Sequence, residues 1–170
     1  MEEGAAALTS YDANGVYGHI DHVRVHEIAA SGVGGTGRAL VEATMSRARL
    51  RTLRNDLLGR GLESDLLPLP LALVEQIGVE DGPQLIAADV SPYLGTKLAA
   101  LAAHSSQVVE ASTFMGLPAG AFHHLLGTEW FRVARPGDGR FVDLVRSMAC
   151  GTEPAGPVVD AHADRIPVTA

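Results

Sequence analysis

Cysteine is nearly absent: Cys150 is the only one in 170 residues. One thiol cannot close an intramolecular disulfide, and Cys150 sits outside any Cys/His ligand spacing. A disulfide-stapled scaffold and a cysteine-based zinc module are thereby excluded, and a reducing, cytoplasmic setting fits. Basic runs are lacking too. The formal net charge is −7, and phosphate binding needs clustered Lys and Arg, so nucleic acid is not an expected partner. The one basic cluster, Arg47, Arg49, Arg51 and Arg54, reads as a solvated helix face. No apolar run reaches membrane-spanning length. The stretch from Leu66 to Val74 is too short and is broken by Pro68 and Pro70. Met1-Glu2-Glu3 is acidic where a secretory signal would be basic, so no signal peptide is expected.

What is present is an ordinary globular balance, with 46% hydrophobic and 19% charged residues, rather than a disordered one. A chain of this length suits one domain with a real core. Ala5 to Tyr11 is a short apolar run that ends in Asp-Ala-Asn-Gly, which predicts a buried strand followed by a turn. From Asp21 the residues Val23, Val25, Ile28 and Ala29 form a roughly helical stripe. Asp21 stands at the helix entrance, where a carboxylate is favoured, and Ser31-Gly32 marks the stop. Ala39 to Thr44 reads as a second strand and Ala48 to Leu58 as a helix ending at Gly59. Gly61 to Pro83 reads as irregular, and Leu85 to Val90 as a third strand. Ser91-Pro92 predicts an N-cap with proline at the first helical position. That helix runs through Leu94, Leu98, Leu101 and Val108. A short helix from Pro118 to Leu126, a strand from Glu129 to Ala134 and a last helix from Phe141 to Met148 complete the pattern. Residues 1–149 read as part of one domain and 150–170 as a flexible tail. Strands alternating with helices predict an α/β layer architecture.

Three histidines fall within eight residues: His19, His22 and His26, with Asp21 among them. Histidine is the commonest side-chain metal ligand, and carboxylates often orient it. The cluster lies where a strand passes through a Gly-rich turn into a helix, the usual place for ligand sites in open α/β sheets. Histidines one turn apart also decorate helix surfaces by chance, so spacing alone leaves a metal site and a plain surface equally open. His26 reads as helix surface or as a support for the ligands. His123 and His124 read as structural, His104 as a structural neighbour of the site, and Trp130 as core.

The segment Tyr11-Asp12-Ala13-Asn14-Gly15-Val16-Tyr17-Gly18-His19-Ile20-Asp21-His22 resembles a signature of the LmbE/PIG-L deacetylase family. That signature reads Tyr-Asp-x-Asn-Gly-x-Tyr-Gly-His-Pro-Asp-His, with Ile20 here in place of the usual proline. Lys97 to Gln107 is similar to the family's Lys-x-x-Ala-Leu-x-x-His-x-Ser-Gln helix, and Glu129-Trp130-Phe131 to its closing strand. The resemblance implies a Rossmann-like α/β fold and metal-dependent hydrolysis of an N-acetyl amide on a glucosamine-type small molecule, usually with Zn2+. It implies that His22 is a metal ligand. His19 would stabilise the oxyanion or protonate the leaving amine, Tyr17 would hydrogen-bond the tetrahedral intermediate, and Asp21 would orient or charge an imidazole. The family draws its other two ligands and its catalytic base from an Ala-His-Pro-Asp-Asp-Glu motif, which does not occur in this sequence. The expectation is a C-terminal portion of the fold, lacking the N-terminal strands and helices. Truncation explains this best, because the retained motifs are intact; a split gene and a degenerate remnant compete with it. A complementing N-terminal fragment or a homo-oligomer are the implied partners, and the isolated chain should be marginally stable and bind metal weakly. Two other readings stand beside the enzyme: a noncatalytic binding or assembly module of this fold, and a metal-binding protein using His19, His22 and His26 alone.

Overall fold

The structure is a computed structural model and describes residues 4–59, 70–103 and 119–149. Among these lies a four-stranded mixed sheet in the order β1-β2-β4-β3, with β1 Ala7–Tyr11, β2 Ala39–Thr44, β3 Leu85–Asp89 and β4 Thr128–Arg135. β1 and β2 run parallel, and β4 pairs antiparallel with both β2 and β3. Parallel neighbours need a crossover, supplied here by α1 (Gly15–Gly18) and α2 (Ile20–Gly32). The architecture is mixed α/β, as expected. The first strand starts at Ala7 rather than Ala5, and the second matches the expected span.

β2 is one of the two inner strands and is buried along most of its length, whereas β1 pairs on one side only among the described residues. α2 lays Ala29 and Val33 on Leu40, with Leu8 and Ala30 beside them. A second core is largely helical. Leu50, Leu53 and Leu57 of α3 (Arg47–Gly59) repeat at helical spacing and meet Val74, Ile77, Ala121, Phe122 and Leu125. Val74 closes α4 (Leu71–Val74), a short helix inside the segment expected to be irregular, and Phe122 and Leu125 belong to α6 (Ala119–Leu126). A fully buried leucine contributes about 2 kcal/mol, so this stripe fixes α3 firmly although its other faces are charged.

The arginines of α3 are not a bare solvated face. All four are half-buried. Arg47 donates to the Ile77 and Gly78 carbonyls at 3.1 and 2.8 Å. Arg51 grips Glu75 and Glu80, and its hydrogen bonds hold both carboxyls below their usual range. The partners lie 24 to 33 residues away, beyond the reach of local pattern. Their effect is to lock the segment after α4 onto α3.

The expected Ser91 cap also differs. Ser91–Tyr93 forms a single 3-10 turn ahead of α5 (Leu94–Ala103). Asp89 accepts from the Ser91 N–H at 2.9 Å, and Ser91 keeps that carboxyl below its ordinary range. Val108, His104, Pro118 and residues 150–170 lie outside the described residues. Lys97 of α5 reaches Glu129 of β4 at 3.0 Å, so two of the residues that carried the second resemblance meet in space. Trp130 is half-buried on β4, and α7 (Arg140–Ala149) packs near β3 and β2.

His124 is 4% exposed in the helical core. Burial is the main cause that lowers its pKa below 6.5, with the Arg49 guanidinium adding to it and Asp56 opposing. A neutral imidazole buried in this way must charge on acidification, and the unfolded chain takes that proton first. Stability from this group is full above pH 6.5 and declines as pH falls below it. His124→Leu should therefore flatten the loss of thermal midpoint between about pH 6.5 and 5, read by thermal denaturation across that window.

Candidate functional site

The site sits at the carboxyl ends of the parallel strands β1 and β2, and a buried carboxylate builds it. Asp12, 1% exposed, follows β1 directly. Its Oδ1 accepts from the Asn14 and Val16 N–H groups at 2.9 Å each, and its Oδ2 takes the Thr44 hydroxyl from the end of β2. The chain is thereby wound into a tight loop. Val16 adopts φ 66°, ψ −62° inside it, a strained γ-turn region that is especially unfavourable for a β-branched residue. Such strain costs about 1–3 kcal/mol and persists only when neighbours over-determine it. Here the Asp12 carboxylate holds the Val16 N–H, and the Gly78 N–H donates to the Val16 carbonyl at 2.7 Å. Arg47 and Arg51 fix the segment that carries Gly78, so the clamp on α3 supports the loop.

Four rings emerge from this loop. Tyr11 lies flat on His22, with centroids 3.7 Å apart and planes 12° from parallel. The Tyr17 ring meets His22 and His19 edge-on at 5.4 and 6.0 Å. The His19 and His22 centroids are 4.8 Å apart. Tyr17 is 46% exposed and lines an open cleft of about 340 Å³ with Asn14, Gly18, Glu75 and Gln76.

Hydrogen bonds set the two imidazoles differently. His22 Nδ1 lies 3.2 Å from the Gly15 carbonyl. A carbonyl only accepts, so Nδ1 carries the proton and Nε2 keeps a free lone pair. His19 caps α2: its Nδ1 accepts from the Asp21 N–H at 3.2 Å. The proton of a neutral His19 ring is therefore on Nε2. One imidazole offers a ligand atom and the other a donor. The Asp21 carboxylate is 82% exposed and 3.9 Å from His19 Nδ1, beyond hydrogen-bond reach, so its backbone N–H is what orients His19.

Chemically this arrangement can hold a cation on one nitrogen and present donors beside it. The chain is similar in sequence to proteins named as deacetylases. A 1D-myo-inositol 2-acetamido-2-deoxy-alpha-D-glucopyranoside deacetylase of Saccharomonospora viridis is 30% identical over 145 residues, covering 81% of this chain and 51% of the relative. A protein of the same name from Thermobispora bispora is 30% identical over 147 residues, covering 76% of this chain and 47% of the relative. A third, deacetylase 2 of Frankia alni, is 31% identical over 173 residues, covering 84% and 56%. The chain belongs to the LmbE/PIG-L family. It spans about half the length of the curated relatives it matches. No family model matches it, and no solved structure does.

The structure brings Tyr17, His19 and His22 together, and Asp21 stands at the edge of that group. The donor set fits the metal implied by the family in part. The pinning of His22 Nδ1 to a carbonyl is the arrangement that metal-bound histidines share. Among the described residues no three His, Cys, Asp or Glu side chains form a group that could hold an ion. Two residues of the site escaped the sequence reading. Asp12 stood inside the signature without a role, and Glu42 was one letter of a predicted strand. Only their burial, at 1% exposure each, marks them, and burial of a carboxylate depends on partners distant in sequence.

Gly15 allows the loop to approach α2. Its φ is +62°, and a Cβ there would lie 3.0 Å from Val23 Cγ2 and 3.1 Å from His22 Cβ. Gly15→Ala should push the loop from the helix and lengthen the Gly15–His22 hydrogen bond. It is expected to cost more than about 1 kcal/mol of stability and to weaken divalent-metal binding about tenfold, read by denaturant unfolding and cobalt titration.

Proposed function

We propose that this chain is the C-terminal portion of a metal-dependent N-deacetylase acting on a glucosamine-type N-acetyl amide, and that it works with a complementing N-terminal portion. The observation that carries the reading is the split between the two imidazoles, an open Nε2 on His22 and an Nε2–H on His19, in a chain whose relatives are named as deacetylases of an acetamido sugar. His22 would hold the cation, Zn2+ in the first instance. When bound, such an ion supplies an acidified water and a Lewis-acid contact. The chain's own residues supply the donors. The His19 Nε2–H and the Tyr17 hydroxyl donate to the oxygen of the amide as it gains charge. His19, neutral in this tautomer, stays a hydrogen-bond donor; the proton without which an amine leaves poorly would come from the attacking water, carried to the nitrogen by a base of the complementing portion. Asp21 keeps His19 in the required tautomer through its backbone N–H.

The cleft beside Tyr17 would receive the remainder of the substrate. Asn14, Gln76 and Glu75 line it, Glu75 paired with Arg51, and among the described residues the lining itself includes no cation. That lining suits a neutral hydroxylated ring and disfavours a phosphorylated one. A sheet edge at β1 and the exposed Ile20, Val25 and Ile28 of α2 suit a covering partner, since such edges otherwise invite aggregation. The alternative, a noncatalytic assembly module of this fold, rests on the same exposed edge.

Equilibrium zinc binding tests the division of labour. The isolated chain is expected to bind weakly, and tightly only when combined with the portion of the Saccharomonospora viridis deacetylase that this chain does not match. One tight zinc per isolated chain would contradict it.

A further inference from the structure

His26 was open between a surface histidine and a support for the ligands, and its surroundings are specific. Its Nδ1 is 3.1 Å from the Tyr11 carbonyl and 3.1 Å from Glu42 Oε1. Both are acceptors, so Nδ1 carries the proton; it is donated to the Tyr11 carbonyl, and the Glu42 carboxylate lies against the same nitrogen. Glu42 is 1% exposed, and its Oε2 takes the Arg132 guanidinium of β4. The carboxylate is thus immobile, and His26 ties α2 to the last residue of β1. That residue is Tyr11, whose ring is the surface on which His22 stacks.

We propose that His26 is a positioning residue for His22: by holding the Tyr11 carbonyl against the Glu42 carboxylate, it fixes the aromatic plane that sets the direction of His22 Nε2. The proposal rests on the reading of His22 as a ligand only for its functional consequence; the mechanical link stands on the geometry. His22 is held at Nδ1 by the Gly15 carbonyl and on one face by the stacked Tyr11 ring, with Tyr17 edge-on and His19 tilted beside it. Releasing the face leaves the ring free to turn about its hydrogen bond, and outer-shell losses of this kind weaken metal affinity about 10–100-fold.

The test compares three variants of the full chain. Asparagine places an amide N–H where Nδ1 stands, glutamine carries its amide one carbon further, and alanine has none. Two readouts are used: the ring-current shift of the His22 ring protons in the metal-free chain by NMR, and the affinity for Co2+ with its visible spectrum. His26→Ala and His26→Gln should lose most of the ring-current shift and bind Co2+ at least about tenfold more weakly. His26→Asn should keep both within about twofold of the parent. An unchanged shift in His26→Ala, or a His26→Asn variant that fails like alanine, would overturn the proposal. If the parent chain binds no Co2+ even with its complement, the deacetylase reading fails while the ring-current result still decides the role of His26.

Discussion

Asp12→Ala is expected to be the most damaging single substitution for stability, at about 3–5 kcal/mol. The carboxylate is the only acceptor that the described residues offer to the Val16 N–H and the Thr44 hydroxyl, and both residues are buried. A buried donor left without a partner costs about 1–3 kcal/mol, and two are orphaned. The Asn14 N–H is on an exposed residue and can turn to water, so it adds little. The strained Val16 backbone also loses one of the two bonds that hold it. Asp12→Asn should be far milder, about 1–2 kcal/mol, because its carbonyl still accepts both N–H groups and the Thr44 hydroxyl can reverse to accept from the new amide. Denaturant unfolding of both variants separates the cases. An alanine variant within about 1 kcal/mol of the parent would contradict the role given to Asp12.

His22→Ala is expected to abolish divalent-metal binding, by more than about a hundredfold, since outer-shell partners alone are worth about 10–100-fold. His19→Ala should leave it within about threefold, because His19 Nδ1 is occupied by the Asp21 N–H and its Nε2 carries the proton. This contrast is specific. A metal site built from His19, His22 and His26 together would lose affinity about equally on removal of any one of its ligands. Competition titration with Co2+ measures all three. Equal losses in His19→Ala and His22→Ala would return the cluster to an undifferentiated histidine site.

Much of the fold was legible because local signals agreed. Ala39–Thr44 is a short apolar run bounded by turn residues, and it is an inner strand of the sheet. Ala48 to Leu58 read as a helix, and it is the middle of α3. The signature from Tyr11 to His22 named the family although no single spacing in it was diagnostic. What the sequence concealed is long-range and polar. The Asp12–Thr44 bond spans 32 residues and the Glu42–Arg132 bond spans 90. Arg47 and Arg51 looked solvated because the acids that bind them come from a different segment. The helix cap expected at Ser91 is absent because the Ser91 N–H donates to Asp89 and the Tyr93 N–H to the Val90 carbonyl, which places Ser91 inside a 3-10 turn rather than before it. Within the loop, the signature picked out rings that the fold brings together, and the hydrogen bonds to Gly15 and Asp21 distinguish the two imidazoles. The loop and its rings have a defined internal support: Asp12 winds the loop, Gly78 holds Val16, and Glu42 lies against His26 beside Tyr11.

The most direct measurement is acetate release from 1D-myo-inositol 2-acetamido-2-deoxy-alpha-D-glucopyranoside. The chain is combined with the unmatched portion of the Saccharomonospora viridis relative, with Zn2+ present, and His22→Ala runs in parallel. Release by the combined protein alone, lost in His22→Ala and on chelation, is the predicted result. Release by the isolated chain, release indifferent to His22, or none from a combined protein that binds zinc tightly would contradict the account.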